Sequence, residues 1–241
     1  MSARRYISPD PAAAAAACAQ HVVAVLDEVI AGREFATFAI SGGSTPRLMF
    51  ERLAATRFPW NRVHIFWVDE RCVPPTDAAS NYKLADEHLI RPAHIPPRNV
   101  HRILGEILPK VAASRYAADI REFFGLEEGD MPHFDLIHRG MGPDAHTASL
   151  FPGSPLIDDR EGIAAAVFAP QFNQWRVTLL PGPLLAASHT VFLAAGADKA
   201  ETLRAVFQDE YNPKKYPAQL ASHSAHGVAW FLDEPAARML D

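Results

Sequence analysis

The stretch FATFAISGGSTP, from Phe35 to Pro46, joins a short apolar run to a turn rich in glycine and hydroxyl side chains. Helical spacing follows it, with Phe50, Leu53 and Ala54 on one face. A strand that enters a glycine turn and then a helix is the repeating unit of α/β proteins with parallel sheets. This stretch therefore predicts the α/β fold class.

The same alternation continues outward from that unit. Short apolar runs predict further strands at residues 63–68, 134–137, 163–168, 177–180, 190–195 and 228–232. Helical spacing is found at residues 80–90, 112–124 and 199–207, and the first 31 residues are predicted as one helix with its start signal at residues 9–11. We expect a single domain over residues 1–241, an open, mainly parallel sheet with helices on both faces, in a Rossmann-like three-layer sandwich.

Composition excludes several classes of protein. The chain has 241 residues, of which 49% are hydrophobic and 21% charged, and its net charge is −5. This balance argues against disorder and leaves no basic surface for nucleic acid or an anionic membrane. No apolar run approaches the roughly 18–20 residues of a membrane span. Two cysteines make no disulfide framework, so we expect a cytoplasmic protein with free thiols and with neither nucleic acid nor membrane as partner.

Polar segments follow three of the predicted strands, at residues 41–46, 69–71 and 140–146. In open α/β sheets the ligand crevice lies at the carboxyl ends of the strands. These segments are distant in sequence, yet the topology predicts that they converge in one site.

The turn after the first strand has the composition of a phosphate site. Gly42 and Gly43 allow backbone N–H groups to approach a ligand, and Ser44 and Thr45 add hydroxyl groups at a helix N-terminus. The alternative is an ordinary strand–helix turn, with Ser44 or Thr45 as N-cap and Pro46 as the first helical residue.

Asp144 and His146 are two residues apart, at what the pattern predicts to be a helix start. A carboxylate beside a histidine fixes one tautomer and suits a general base near neutral pH. Alternatively, Asp144 is only an N-cap and His146 is incidental. Residues 140–145 also fit a dinucleotide fingerprint formally, but the next strand ends without the acid that binds ribose, so we reject that interpretation.

Two further pairs of residues are candidates for binding a phosphorylated substrate, the alternative being that they are solvated surface charges. Asp69 and Arg71 supply a carboxylate and a guanidinium at a strand end, and Arg176 and Lys199 are candidate phosphate ligands. Cys72 has no evident base beside it and is interpreted as structural. Nothing else has metal-ligand spacing, so no metal site is predicted.

Taken in order, these segments resemble the 6-phosphogluconolactonase family, within the wider glucosamine-6-phosphate isomerase/deaminase group. The most specific piece is HTASLFPG, residues 146–153. The deaminase branch carries an aromatic residue where Arg71 stands. The other matching segments are residues 41–46, 68–71, 80–81, 140–145, 176–178, 196–200 and 230–233.

The resemblance implies hydrolysis of 6-phospho-D-glucono-1,5-lactone to 6-phospho-D-gluconate, in the oxidative pentose phosphate pathway and without a cofactor. It implies that His146 activates water, that Asp144 orients the imidazole, and that Asp69 and Arg71 position substrate and stabilise developing charge. It also implies a substrate- and phosphate-binding set that comprises Gly42, Gly43, Ser44, Thr45, Asn81, Arg176 and Lys199.

Three features depart from the family pattern: Ala145 stands where glycine is usual, Arg139 stands where an apolar residue is usual, and residues 170–175 replace a proline-rich stretch. If residue 145 needs a positive φ, its Cβ costs on the order of 1 kcal/mol. Two alternatives therefore stay open, a glucosamine-6-phosphate deaminase or isomerase and a weakly active sugar-phosphate-binding protein. The expected oligomeric state is a monomer or a weak homo-oligomer.

Overall fold

Seven parallel strands form the main sheet of the computed structural model, which describes residues 4–224 and 227–240. The strand order is β1-β10-β9-β6-β2-β3-β5, and a smaller sheet has the order β4-β8-β7. The strands are β1 (Arg4–Ser8), β2 (Ala36–Ile40), β3 (Val63–Trp67), β4 (Asp69–Arg71), β5 (Val100–His101), β6 (Leu136–Arg139), β7 (Ala164–Ala169), β8 (Gln174–Leu179), β9 (His189–Ala194) and β10 (Val228–Asp233).

Helices cover both faces of the main sheet. They are α1 (Pro11–Gly32), α2 (Ser44–Ala54), α3 (Asn81–Ala85), α4 (Pro109–Phe124), α5 (Pro181–Ala186), α6 (Ala200–Gln208), α7 (Gln219–Ser224) and α8 (Glu234–Ala237). Along β9, Val191 and Leu193 join the core beneath α1, whereas Phe192 and Ala194 join a second core beneath α6 and α8. This alternation follows from the two-residue period of a strand. The predicted Rossmann-like α/β fold is confirmed.

The N-terminal prediction is wrong in part. Residues 1–31 were expected to be one helix, but Arg4–Ser8 is strand β1, which pairs in parallel with β10, and α1 begins only at Pro11. The sequence signal was weak because β1 lies at the edge of the sheet and is mostly exposed, so it carries no continuous apolar run. Asp10 is the N-cap of α1, and its side chain accepts a hydrogen bond from the Ala13 N–H at 2.8 Å.

The antiparallel sheet is a second departure. The runs at residues 163–168 and 177–180 were counted toward the mainly parallel sheet, but β7 and β8 pair antiparallel, and β4 adds to the other edge of β8. An apolar run indicates that a strand is buried but not in which direction it runs. The sequence pattern therefore could not distinguish parallel from antiparallel pairing. The pairing places Arg71 of β4 directly opposite Arg176 of β8.

Helix α1 contradicts one further expectation. With 22 residues it is long and apolar enough to cross a membrane by length and composition alone. In this fold its residues Ala14, Ala15, Cys18, Val22 and Leu26 are fully buried in the core. A buried core helix meets the same length and composition criterion.

The topology fixes where a ligand crevice forms. Strands β2 and β6 are neighbours, and the chain continues from β2 to β3 on one side and from β6 to β9 on the other. Such a reversal of strand order opens a crevice at the carboxyl ends of the two strands. Ser41 follows β2 and Gly140 follows β6, so both loops begin at this crevice.

Candidate active site

A cavity of about 330 Å³ lies at the crevice between the ends of β2 and β6, and most of the predicted site residues line it. Asp144 contacts His146 without lining the cavity, and Arg139 does not line it either. The lining includes Gly42, Gly43, Ser44, Thr45, Asp69, Arg71, Asn81, His146, Arg176 and Lys199. The predicted convergence of distant segments is therefore confirmed.

His146 lies in a segment that we call the histidine loop, residues 140–153. Its Nδ1 atom is 2.5 Å from Oδ1 of Asp144, and the same carboxylate oxygen accepts the His146 backbone N–H at 3.1 Å. The imidazole packs 4.7 Å from the ring of Phe151, measured between centroids. Burial raises the pKa of Asp144, but the hydrogen bond and charge of His146 outweigh it and bring this pKa below its usual value.

The histidine loop differs from its prediction, because His146 does not start a helix. Ala145 and Ala148 have φ values of +66° and +52°, which interrupt any helical path on both sides of His146. A Cβ at Gly142 would lie 2.1 Å from the imidazole, so the ring packs directly on backbone there. The alternative of Asp144 as a helix N-cap is therefore wrong, and the dinucleotide fingerprint lacks the helix that it requires.

The turn after β2 places unpaired backbone N–H groups at the cavity. The N-cap of α2 is Gly43, whose φ is +127°, and no side chain caps the helix. Ser44 and Thr45 are thus the first two helical residues and not N-caps, which corrects the alternative drawn from the sequence. Uncapped N–H groups at a helix N-terminus carry partial positive charge, which favours an anion.

Asp69 and Asn81 belong to the opposite side of the cavity, which we call the carboxylate wall, residues 69–71 and 80–82. Asp69 accepts a hydrogen bond from the Ser149 hydroxyl at 2.6 Å, and Asn81 Nδ2 donates to the Asp69 carbonyl at 2.9 Å. A Cβ at Gly42 would lie 2.0 Å from Asn81 Oδ1. Gly42 is therefore required for Asn81 to reach Asp69.

Glu70 is a supporting residue that the sequence analysis missed. Its carboxylate accepts the backbone N–H groups of Arg71, Asn81 and Tyr82, each at 2.7 Å, and the Ser80 hydroxyl at 3.0 Å. Burial raises the pKa of Glu70, and these hydrogen bonds oppose that rise. The two-residue period of β4 was the available signal, because it turns Asp69 and Arg71 to the cavity and Glu70 away from it.

Arg176 reaches the cavity between two aromatic rings. Its guanidinium carbon lies 4.6 Å from the ring centroid of Phe172 and 5.5 Å from that of Phe151, within the range of cation–π attraction. Nη1 is 4.0 Å from Asp69 Oδ2 and 3.5 Å from the Ser149 hydroxyl. Burial lowers the pKa of Arg176 and the charge of Asp69 opposes this.

Two other cations differ in their surroundings. Lys199, which precedes α6, forms an ion pair with Asp198 at the cavity rim. Arg71 donates from Nη1 to the Ala79 carbonyl at 2.7 Å.

Burial, followed by the charge of Glu70, raises the pKa of Cys72 to about 11, in keeping with a structural thiol.

No group of three or more His, Cys, Asp or Glu side chains able to hold a metal occurs among residues 4–224 and 227–240. What the cavity does offer is one imidazole–carboxylate pair, one buried carboxylate, three cationic side chains and a helix N-terminus. Fold and site together define the class: a Rossmann-like α/β protein with an imidazole–carboxylate pair beside a cationic crevice.

Comparison with known proteins identifies one family within this class. A family model described as glucosamine-6-phosphate isomerases/6-phosphogluconolactonase matches residues 9–230. The chain belongs to that family, as its motifs indicated.

Individual relatives cover most of the chain. The 6-phosphogluconolactonase of Nostoc sp. is 33% identical over 231 residues, 95% of each chain. The human 6-phosphogluconolactonase is 39% identical over 209 residues, which are 83% of this chain and 79% of that protein. The 6-phosphogluconolactonase structure from Trypanosoma cruzi has a TM-score of 0.88 at 26% identity, covering 100% of this chain and 98% of the other.

Proposed function

We propose that this protein hydrolyses 6-phospho-D-glucono-1,5-lactone to 6-phospho-D-gluconate, as a step of the oxidative pentose phosphate pathway. The observation that carries the proposal is the 2.5 Å contact between His146 Nδ1 and Asp144 at the cavity. Membership of the family and relatives named 6-phosphogluconolactonase support the choice of substrate.

His146 acts as the general base in this proposal. Because Nδ1 donates its proton to Asp144, the lone pair of Nε2 is free to accept a proton from water. The hydroxide equivalent attacks the lactone carbonyl carbon and gives a tetrahedral oxyanion. When the carbon–ring oxygen bond breaks, the ring oxygen takes the proton back from Nε2, so the imidazole returns to its starting state.

The carboxylate wall is assigned to the reacting end of the substrate. We assign to Arg71 the stabilisation of the oxyanion, because a guanidinium in a partly buried site interacts more strongly than it does in water. Asp69 is fixed by Ser149 and is assigned the positioning of substrate hydroxyl groups, and Asn81 the contact with the sugar.

The phosphate group is assigned to the turn after β2 and to two cationic side chains that line the cavity. Gly42, Gly43, Ser44 and Thr45 offer backbone N–H groups and hydroxyls at the uncapped start of α2. Arg176 and Lys199 supply positive charge to a protein whose net charge is −5. Local cations of this kind are what an anionic substrate requires against an unfavourable overall field.

The remaining features of the proposal concern the context in which the protein works. All groups that the reaction needs are protein side chains or backbone, so the proposal includes no cofactor and no metal. We further propose that the protein acts in the cytoplasm as a monomer or weak homo-oligomer, without nucleic acid or membrane partners.

Lactone hydrolysis with the spontaneous rate subtracted tests the proposal, because this lactone also opens unaided. We expect wild type to exceed the spontaneous rate and His146→Ala to lose roughly 10²–10⁴-fold in kcat, the usual contribution of a general base. The matched control is His133→Ala, since His133 is exposed and precedes β6, at the end of the sheet opposite the cavity. We expect it to retain wild-type activity.

Three outcomes would contradict the proposal. Wild type and His146→Ala could both match the spontaneous rate. Ammonia release from glucosamine 6-phosphate would assign the deaminase reaction instead. Thermal stabilisation by 6-phosphogluconate without any turnover would identify a sugar-phosphate-binding protein.

A further inference from the structure

Arg139, the last residue of β6, is a buried cation that the proposed mechanism does not use. Its exposure is 0%, and its guanidinium carbon lies 5.0 Å from the ring centroid of Phe192. Nε donates to the Thr147 hydroxyl at 3.0 Å, but Nη1 and Nη2 have no hydrogen-bond partner among the described residues. No described carboxylate forms an ion pair with it.

Stability does not account for this residue. A buried charge without an acid partner is unfavourable, and an apolar side chain of similar volume is often more stable in such a place. Burial lowers the pKa of Arg139 to about 9, which leaves it charged at neutral pH. Polar groups that are kept at a cost to stability are concentrated at functional sites.

The contact with Thr147 links Arg139 to the catalytic histidine. Thr147 follows His146 directly and is fully buried. On the other side of His146, the loop is held by the hydrogen bond from Gly142 N–H to the His146 carbonyl at 2.9 Å and by Ala218 N–H donating to the Ala145 carbonyl at 3.0 Å. On the C-terminal side, the bond from Arg139 restrains the residue next to His146, and the bond from Ser149 to Asp69 restrains the loop two residues further on.

We propose that Arg139 is a positioning residue for His146, which it orients by holding Thr147 through the Nε–Oγ1 hydrogen bond. This inference rests on the proposed function. Because Arg139 does not line the cavity, its effect reaches the reaction through the histidine loop and not through contact with substrate. The buried guanidinium lowers the stability of the fold, and in return it orders the histidine loop.

The test compares kcat, KM and Tm for wild type, Arg139→Met, Thr147→Val and the double variant. Misplacement of a catalytic group lowers kcat steeply, so we expect each single variant to lose about tenfold in kcat with KM within about twofold. The double variant should be no slower than the slower single variant, because both substitutions remove one bond. Arg139→Met should raise Tm by roughly 2–4 °C, whereas Thr147→Val should lower it.

Thr190→Val is the matched control. Thr190 pairs with Ile137, two residues before Arg139, so its side chain is on the same face of the sheet, and its buried hydroxyl also has no hydrogen-bond partner in the described part of the chain. This substitution should raise Tm like Arg139→Met and leave kcat unchanged, because among the described residues no hydrogen bond joins Thr190 to the histidine loop.

The outcomes separate this inference from the proposed function. An active wild type whose Arg139→Met variant keeps its kcat overturns the role of Arg139 alone. A fall in both kcat and Tm for Arg139→Met, or losses that multiply in the double variant, also overturns it. An inactive wild type contradicts the proposed function together with this inference.

Discussion

The two sides of the cavity are built in different ways. In the carboxylate wall, the backbone follows strand β4 and helix α3, and Glu70 alone accepts four hydrogen bonds. In the histidine loop, two non-glycine residues have positive φ, and the imidazole has one carboxylate partner. The hydrogen bonds of the wall converge on one buried carboxylate, whereas those of the loop are spread along its length and hold backbone at positive φ.

This difference predicts which side of the cavity is more sensitive to substitution. Backbone strain persists only where the surroundings enforce it, and it is concentrated at functional sites. The strained side is the side to which proton transfer is assigned, and the hydrogen-bonded side is the one assigned to fixing charges. A substitution in the loop should therefore cost more activity than one of similar size in the wall.

Among the substitutions that compare the two sides of the cavity, the largest effect should come from Gly142→Ala. The new Cβ would lie 2.1 Å from the imidazole, so His146 must leave its place against the backbone and lose its alignment with Asp144. We expect kcat to fall by about 100-fold, in line with the cost of displacing a catalytic group. A Cβ at Gly140 meets no atom within 4 Å, so Gly140→Ala should lose much less. Equal losses in the two variants would contradict the interpretation.

The wall is tested by Gly42→Ala, whose Cβ would lie 2.0 Å from Asn81 Oδ1. The side chain of Asn81 is pushed from Asp69, but the Glu70 hydrogen bonds remain, so we expect about a tenfold loss in kcat/KM. The double variant Gly42→Ala with Asn81→Ala should be little worse than Asn81→Ala alone, because the contacts with Oδ1 and Cγ at 2.0 and 2.5 Å are then gone and only the one with Cβ at 3.1 Å remains. Multiplying losses would show that Gly42 acts in another way.

The sequence was most informative where the pattern is set by burial. The run before Ser41 predicted β2, and helical spacing after Pro46 predicted α2, because a covered parallel sheet needs apolar residues throughout. Strand β1 was missed because its residues are exposed. The antiparallel sheet was missed because strand direction depends on pairing between distant segments.

The sequence predicted which residues form the site, but it did not predict the backbone conformation around His146. Topology alone places residues after β2 and β6 in one crevice, which is why His146 and Gly42 were found together. Sequence spacing predicted a helix at His146, but the positive φ values of Ala145 and Ala148 depend on contacts such as the one from Ala218. Glu70 was missed because four donors from the backbone and a serine converge on it only in the fold.

Asp144→Asn should have a smaller, pH-dependent effect on stability. The pKa of Asp144 is lower in the fold than its usual value of about 4, so the folded state favours the ionised form. This contribution is present above pH about 4 and is lost as the pH falls through the lower, folded value. The difference in Tm between wild type and variant should thus shrink as the pH falls from about 4 toward 3. A difference that grows on acidification contradicts the sign of the shift.

The smallest effect should come from Ala145→Gly, the residue where the chain departs from its family. A left-handed backbone costs alanine about 1–2 kcal/mol, and glycine removes that cost. Glycine also loses about 0.4–1 kcal/mol through its freer unfolded state and about 0.8 kcal/mol for the buried methyl group. These contributions nearly cancel, so we expect a Tm within about 2 °C of wild type. Activity should also be unchanged, because His146 already contacts Asp144 with Ala145 in place. A marked gain in kcat would instead show that the methyl group displaces the imidazole. In that case the backbone strain of the histidine loop, and not the carboxylate wall, would limit the reaction.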